Sequence, residues 1–279
     1  MRVTFWGVRG STPCASDHNR RYGGNTSCVV VESAGQVPII LDLGTGLRRF
    51  GETQPHDGSF RGTALVSHLH WDHVQGLPFF TPVLKPGAQL NVYGPAQEHG
   101  TLDEAVRSFL APPYFPVTID DLPGEIRFHE LEGELEIGSA RVLARQVPHI
   151  GITNGYRIEC DGVSVAYVSD HQSPDVGDGE GDTIDEAVLE LCEGVDLLIH
   201  DAQYWPKEWD QKRTWGHCSV DYAVGVAAKS GAKRLALFHH DPSHADGEVD
   251  AILSRARKHA GSRVSEVIAA HEDLTISFD

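Results

Sequence analysis

Four side chains of the kind that bind metal ions stand within six residues, in a run that spells His-Leu-His-Trp-Asp-His. The run follows a short apolar segment that is typical of a strand. Alternate residues of an extended chain point to one side, so His68 and His70 can reach the same ion. If the chain then turns into a helix, Asp72 and His73 lie in its first turn and can reach a second ion. The run therefore predicts a site for two metal ions.

Histidine is unusually frequent, with 16 among 279 residues, and it is the side chain that best binds transition metals near neutral pH. Asp and Glu number 40 against 23 Lys and Arg, which gives a formal net charge of −17. Such a charge opposes non-specific binding to nucleic acid or anionic lipid. Apolar runs are far shorter than the roughly 20 residues that a membrane-spanning helix needs. We therefore expect a metalloprotein without a membrane span, on which a large polyanion would need a strongly focused positive site.

Five cysteines are scattered along the chain without a Cys-x-x-Cys pair, at positions 14, 28, 160, 192 and 218. This odd and dispersed set predicts reduced, mostly buried thiols rather than a disulfide framework or a thiolate zinc site. The first residues lack the charged and apolar regions of a secretory signal. Both observations indicate a cytoplasmic protein.

Short β-branched segments bounded by Gly, Pro or Asp-Gly predict the strands that must position these side chains. The predicted strands cover residues 3–6, 28–32, 38–42, 63–67, 89–93, 126–131, 141–147, 153–160, 163–169, 197–200 and 234–238. Between two of them, Asp161-Gly162 predicts a tight hairpin turn, because this pair readily supplies the positive φ that such turns require.

Four helices carry recognisable end signals. Residues 183–186 and 101–104 match the capping-box pattern Thr-x-x-Glu. Ser219 and Asp246 are predicted to cap two further helices, each followed by a glycine where a C-terminal cap is expected. Apart from the acidic, glycine-rich residues 175–182, no segment has a biased composition. No linker divides the chain, so we predict a single domain over residues 1–279.

The His-x-His-x-Asp-His run after a strand resembles the signature of the metallo-β-lactamase superfamily. The resemblance implies an α/β fold, an αββα four-layer sandwich in which two mixed β-sheets are flanked by helices and two metal ions lie at one edge of the paired sheets. It implies that His68, His70, Asp72 and His73 are metal ligands, with Asp72 also taking part in catalysis. It spans nearly the whole chain, because further landmarks follow in family order at predicted strand ends.

Four of those landmarks complete the implied site. Asp42 is similar to the aspartate that orients ligands from behind, and His149 to the third histidine of the first ion. Asp170 is similar to the carboxylate that bridges both ions. His239 is similar to the terminal histidine of the second ion, with the adjacent His240 as the alternative ligand.

Two divalent metal ions are therefore implied. Imidazole-rich ligation favours zinc, while the two carboxylates also admit manganese or iron. With Asp72, Asp170 and a bridging hydroxide counted, two divalent ions still leave a local positive charge that can attract an anionic substrate. The main β-lactamases carry a cysteine where this chain has Asp170, so we do not expect β-lactamase activity.

Two segments resemble motifs of the phosphodiesterase branch, which includes RNase Z and the cyclic-phosphate diesterases. They are Leu-Leu-Ile-His-Asp-Ala at residues 197–202 and Gly-His-Cys-Ser at residues 216–219, where the branch usually has serine in place of Cys218. The resemblance implies that His217 protonates the leaving oxygen and that Asp201 holds its imidazole. Departure of an alkoxide from a phosphodiester is costly without such a donor. The expected reaction is attack of a metal-bound hydroxide on phosphorus with His217 as general acid.

Basic and aromatic residues near these motifs are candidate substrate contacts. Lys212, Arg213 and Trp215 suit a phosphate beside a nucleobase, although aromatic residues there could equally pack a loop or a dimer contact. Arg20 and Arg21, in a glycine-containing loop, could grip phosphate or form a solvated basic loop.

A small anionic phosphodiester, a cyclic nucleotide or another cyclic phosphate, is the expected substrate. RNase Z would use a long, basic, glycine-rich arm to hold transfer RNA, and no segment has that composition. The alternatives are an RNase Z-like nuclease, a lactonase or thioester hydrolase on the same metals, and a sensor that binds without turnover. A homodimer is implied by the resemblance alone.

Overall fold

The computed structural model describes residues 1–174 and 183–278, so the acidic segment noted in the sequence lies outside the described residues. Strands β1 to β14 cover, in chain order, Arg2–Gly7, Cys28–Glu32, Ile39–Leu41, Arg61–Leu65, Gln89–Gly94, Glu125–Glu130, Gly133–Ile137, Ala140–Gln146, Asn154–Cys160, Val163–Val168, Leu197–Asp201, Arg234–Phe238, Glu266–Ala269 and Thr275–Ser277. Helices α1 to α7 cover Gly46–Glu52, Trp71–Val74, Leu102–Phe109, Glu186–Cys192, Pro206–Lys212, Val220–Ser230 and Asp246–Ala260.

The strands form two mixed sheets of seven strands each. The first has the order β14-β1-β2-β3-β4-β5-β6 and the second the order β13-β12-β11-β10-β9-β8-β7. Strands β3 to β6 are parallel, and so are β10 to β13, while the remaining neighbours are antiparallel. Because the carboxyl ends of parallel strands meet at one edge of a sheet, the loops after β3, β4, β10, β11 and β12 gather at such edges.

Three apolar layers hold the sheets and helices together. The inner faces of the two sheets enclose one core, with Phe5, Tyr156 and Phe238 among its fully buried side chains. Helices α1 and α3 cover the outer face of the first sheet, and α4, α6 and α7 cover that of the second. This arrangement confirms the predicted four-layer αββα sandwich.

Each predicted strand is present within one or two residues of its expected bounds, and three further strands were missed. Strand β7 alternates Glu with apolar residues at the edge of the second sheet, whereas β13 and β14 have only four and three residues. Such short edge strands carry too little pattern to separate them from loops. The predicted hairpin is confirmed, with φ of 54° at Asp161 and 74° at Gly162.

The signals for helix N-termini were correct at two helices and wrong at two, and the predicted glycines Gly231 and Gly261 are the C-caps of α6 and α7. Thr101 forms the predicted capping box, and Ser219 caps α6. The box predicted at residues 183–186 is absent, because Asp185 caps α4 by accepting a hydrogen bond from Ala187 N. Asp246 lies inside α7, and its carboxylate instead accepts the backbone N–H groups of Arg21 and Tyr22. None of the helices in the described part of the chain is long and apolar enough to cross a membrane.

The inter-sheet core predicts a large stability difference between two phenylalanine substitutions. Phe5→Ala should lower the free energy of unfolding by about 3–5 kcal/mol, because Phe5 is fully buried between the sheets. Phe79→Ala, on a side chain that is 55% exposed, should change it by no more than about 0.5 kcal/mol. Urea denaturation followed by circular dichroism measures both, and equal effects would contradict the assigned core.

Candidate metal centre

The first group of ligand-type side chains comes from both sheets. His68 and His70 follow β4 in extended conformation, and their ring centroids lie 4.3 Å apart. His149, from the loop between β8 and β9, brings its ring to 4.7 Å from that of His68. With Asp170, which follows β10, these side chains each offer a ligand atom within 4.8 Å of the others. The loops of the two sheets thus meet at one cluster.

The second group lies directly beside the first. Asp72 and His73 occupy the short helix α2, as the sequence predicts. The Nε2 atoms of His73 and His239 lie 3.1 Å and 3.0 Å from Asp72 Oδ2. His239 follows β12 with a φ of 58°, a left-handed conformation that few non-glycine residues adopt. This strained turn brings its imidazole into the cluster.

One carboxylate faces both groups. Asp170 Oδ2 lies 3.7 Å from Nε2 of His68 and of His149. Asp170 Oδ1 lies 3.1 Å from Nε2 of His73 and 3.2 Å from Nε2 of His239. Two oxygens that point to two histidine sets form the arrangement expected of a bridging ligand.

The polar atoms at the centre of the cluster fit divalent metal ions. His68 Nε2, His73 Nε2 and Asp170 Oδ1 are buried without a hydrogen-bond partner among the described residues. Leaving such atoms unsatisfied is costly, and a shared cation would satisfy all three. Burial lowers the pKa of His68 and brings that of His149 to about 4, so both imidazoles are neutral and able to ligate at pH 7.

Negative charge is concentrated at the second group. Although burial opposes it, the neighbouring side chains of His73 and His239 hold the pKa of Asp72 far below its usual range. Burial alone would lower the pKa of His73, but the carboxylates of Asp170 and Asp72 outweigh burial and raise that pKa. Ionised carboxylates buried among imidazoles favour a cation at this position.

Asp42 lies behind the cluster and orients it, as the resemblance implies. Its Oδ2 accepts hydrogen bonds from His73 Nδ1 at 2.7 Å, Ser67 Oγ at 2.9 Å and the Tyr167 hydroxyl at 2.7 Å. Its Oδ1 accepts the backbone N–H of Ser67 at 2.7 Å. The bond to Nδ1 turns Nε2 of His73 toward the centre of the cluster.

His217 and Asp201 form the pair that the sequence predicts. His217 Nδ1 lies 2.8 Å from Asp201 Oδ2 and 3.8 Å from Asp170 Oδ2. The ring of His217 stacks on that of His239 with centroids 4.9 Å apart. Asp201 is itself held by the backbone N–H groups of His171 and Gln203. Although His217 also meets the spacing of a ligand group with Asp170 and His239, its Nδ1 is engaged by Asp201.

The two adjacent histidines at the end of β12 take different directions. His239 joins the cluster, whereas His240 Nε2 donates a hydrogen bond to the carbonyl oxygen of Ala270 at 2.9 Å. Burial lowers the pKa of His240 to about 3, so it is a neutral side chain of the core. Between the two alternatives, the geometry favours His239 as the ligand.

The basic residues named as substrate contacts are held by carboxylates. Arg20 pairs with Asp17, Arg21 with Asp250 on α7, Lys212 with Asp241 and Arg213 with Asp210. Among the described residues, neither Arg20 nor Arg21 forms an ion pair with a member of the metal cluster.

Lys212 and Trp215 lie on the side of the centre that carries His217. The Lys212 Nζ atom is 4.4 Å from the Tyr204 ring and 5.5 Å from the Trp215 ring. Tyr204 in turn lies 5.8 Å from the ring of His217. Trp215 is 60% exposed, so its indole is open to a ligand.

Three residues that contact the cluster were missed from the sequence. The Ser11 N–H donates to Asp72 Oδ2 at 2.7 Å, and Gln203 Oε1 accepts from His239 Nδ1 at 2.7 Å. The Tyr167 hydroxyl reaches Asp42 from the opposite sheet. Only Tyr167 could have been suspected from the sequence, because it lies on a buried strand three residues before Asp170. Ser11 and Gln203 lie in loops whose composition gives no indication of a site.

This chain is similar to known proteins in sequence and in fold. A family model described as a beta-lactamase superfamily domain matches residues 40–240. The ribonuclease Z of Haloarcula marismortui is 25% identical to this chain, over 92% of this chain and 91% of its own length. The metallo-beta-lactamase fold protein YhfI from Bacillus subtilis is a similar solved structure, with a TM-score of 0.72, 20% identity and coverage of 99% of this chain and 98% of that one. The short form of human tRNase Z has a TM-score of 0.67 at 23% identity, with 100% of both chains covered.

The matched range runs from the strand before Asp42 to the residue after His239, and so it contains both ligand groups and the His217–Asp201 pair. These findings confirm the family that the His-x-His-x-Asp-His run indicates and the branch that the motifs at residues 197–202 and 216–219 indicate. The chain therefore belongs to the beta-lactamase superfamily, as a metal-dependent hydrolase of its phosphodiesterase branch.

Proposed function

We propose that the protein binds two divalent metal ions and hydrolyses a small cyclic nucleotide or another cyclic phosphate. The first ion would be held by His68, His70, His149 and Asp170, and the second by Asp72, His73, His239 and Asp170. Zinc is the favoured metal, because most of the ligand atoms are imidazole nitrogens, with manganese or iron as alternatives. When bound, two such ions supply a nucleophile at neutral pH and neutralise the charge of the phosphate.

The His217–Asp201 pair carries the proposal for a phosphodiester. Asp201 holds Nδ1 of His217 at 2.8 Å, which leaves Nε2 to hold a proton on a ring that stacks on that of His239. From there the imidazolium can donate to the oxygen that leaves phosphorus, and Asp201 stabilises its charge. A thioester needs no such donor, because a thiolate departs unaided.

The surface charges support a small substrate rather than a long polyanion. The chain carries a formal charge of −17, and Arg20, Arg21, Lys212 and Arg213 are each paired with a carboxylate. The indole of Trp215, two residues before His217 in the chain, is exposed, and Lys212 Nζ lies over it at 5.5 Å from the ring centroid. One stacked base beside one cation suits a mononucleotide-sized ligand.

A nuclease of the RNase Z kind is the second candidate, because the curated relatives bear that name and match over nine-tenths of their own length. A lactonase or thioester hydrolase would use the same ions without His217. We also infer a cytoplasmic location, since all five cysteines are free thiols. The homodimer remains a prediction.

His217→Ala should separate substrates by their leaving groups. On a cyclic nucleotide, whose leaving group is an alkoxide, kcat should fall about 10²- to 10⁴-fold. On bis(p-nitrophenyl) phosphate, whose nitrophenolate leaves without a proton, the loss should be about tenfold or less. Both rates are measured with added zinc or manganese, and the metal content of the variant should equal that of the wild type.

The matched control is His259→Ala, at an exposed histidine of α7, which should leave both rates unchanged. Equal losses on both phosphodiesters would argue that His217 does not act as the general acid. Full lactone or thioester turnover by His217→Ala, without phosphodiester turnover by the wild type, would favour the lactonase or thioesterase.

Removal of metal should abolish activity and lower the melting temperature by at least about 5 °C, because bound ions stabilise only the folded state. Dialysis against a chelator, elemental analysis and differential scanning calorimetry measure this. Zinc or manganese added back should restore both quantities in the wild type but not in Asp170→Ala. A chelated protein that keeps its activity would refute the metal assignment.

Cyclic mononucleotides and dinucleotides should be hydrolysed with kcat/KM at least about tenfold above that for a transfer RNA precursor, with a shallow dependence on salt. The physical reason is that a small ligand releases few counterions and needs no extended basic surface. The opposite order, with a steep loss of kcat/KM between low and moderate salt, would establish the nuclease instead.

A further inference from the structure

The imidazole of His239 is held from two sides by residues outside the ligand groups. On one side, Gln203 Oε1 lies 2.7 Å from His239 Nδ1, and a carboxamide oxygen can only accept a hydrogen bond. The proton therefore sits on Nδ1, and Nε2 is the atom that faces Asp72 and Asp170. The amide is itself anchored, because Gln203 Nε2 donates to the Tyr204 hydroxyl at 3.2 Å.

On the other side, Gly10 lies against the same ring. A Cβ atom at this position would come within 2.3 Å of Cε1 and Nδ1 of His239 and within 2.9 Å of Gln203 Oε1. The φ of Gly10 is not in the left-handed region, so the backbone would accept alanine. The proximity of His239 is therefore what excludes a larger residue.

The segment that carries Gly10 cannot move aside easily. Gly10 N donates to His240 O at 3.1 Å, and His240 N donates to Val8 O at 3.0 Å. The guanidinium of Arg9, which is fully buried, donates to the carbonyl oxygens of Asp241 and His244. The chain on both sides of the His239 ring is thus tied to the loop from which His239 comes.

The same segment also contacts a second ligand. The Ser11 N–H donates to Asp72 Oδ2 at 2.7 Å, and Ser11 has a φ of 61°. Two of the three side chains unique to the second group therefore contact residues 10–11. Among the described residues, no hydrogen bond joins His68, His70 or His149 to Gly10 or Gln203.

We propose that Gly10 and Gln203 are positioning residues for the second metal ion, because together they hold the His239 ring in the plane and tautomer that direct Nε2 at Asp72 and Asp170. The inference rests on the two-ion site of the proposed function. It predicts that the two ions respond differently to changes at these positions, with the first ion retained.

Gly10→Ala should reduce the metal content from two ions per chain to one after dialysis against a weak chelator. Elemental analysis and competition titration of zinc against a fluorescent chelator measure content and affinity, and calorimetry of the chelated proteins checks that they fold equally well. Gly247→Ala is the matched control, because nothing lies within 4 Å of a Cβ atom built there. It should keep two ions.

Gln203→Leu and Gln203→Glu test the other side of the ring. Leucine removes the acceptor for Nδ1–H and should weaken the second ion about 10- to 100-fold. Glutamate keeps an acceptor of the same size and should retain that ion. If Gly10→Ala does not fold, the same zinc titration of Gln203→Leu and Gln203→Glu still tests whether the second ion depends on the His239 ring being held.

The outcomes distinguish failure of the positioning role of Gly10 and Gln203 from failure of the proposed two-ion site. A wild-type protein that takes up fewer than two ions overturns the two-ion site and the inference together. Two ions in the wild type, bound with unchanged affinity in folded Gly10→Ala or in Gln203→Leu, overturn the inference alone. Loss of both ions from either folded variant overturns it as well, because the effect would not be confined to His239.

Discussion

The candidate metal centre depends on the hydrogen bonds that the buried carboxylate of Asp42 accepts. Asp42 is fully buried after β3 and adopts a φ of 61°, so both its charge and its backbone are unfavourable unless the surroundings compensate. Compensation comes from Ser67, from His73 and from Tyr167 of the other sheet. A single side chain thereby joins the two sheets and directs one imidazole at the centre.

Other histidines along the same edge of the sandwich are also held by hydrogen bonds from behind. Parallel strands end at one edge, and each loop there contributes one or two ligand-type side chains. Around them lie groups that fix which atom points inward: Gly216 O accepts from His149 Nδ1, Gln203 from His239, and Asp201 from His217. The result is a small region whose ligand-type side chains suit cations, on a protein whose formal charge of −17 would otherwise repel phosphate esters.

The sequence predicted the sandwich, and the candidate ligands that it named lie together in one cluster, because ligand spacing and strand ends are local features. It did not predict the pairing of Arg21 with Asp250 or of Lys212 with Asp241, since these partners are far apart in the chain. The pairing of Arg20 with Asp17 and of Arg213 with Asp210 was overlooked, although each pair is only three residues apart. Asp246 was misjudged because its partners are backbone groups of the N-terminal loop rather than of its own helix. Gly10 was not singled out, because it is far from His239 in the sequence and the two residues come together only in the folded chain.

The chain order of the ligands has a consequence for biosynthesis. Residues 10–11 lie against residue 239, and β1 pairs with β14 at the far end of the chain. The ligands proposed for the first ion are complete once residue 170 has left the ribosome, whereas those proposed for the second include His239, which follows β12. During synthesis, one proposed ligand set is therefore complete well before the other.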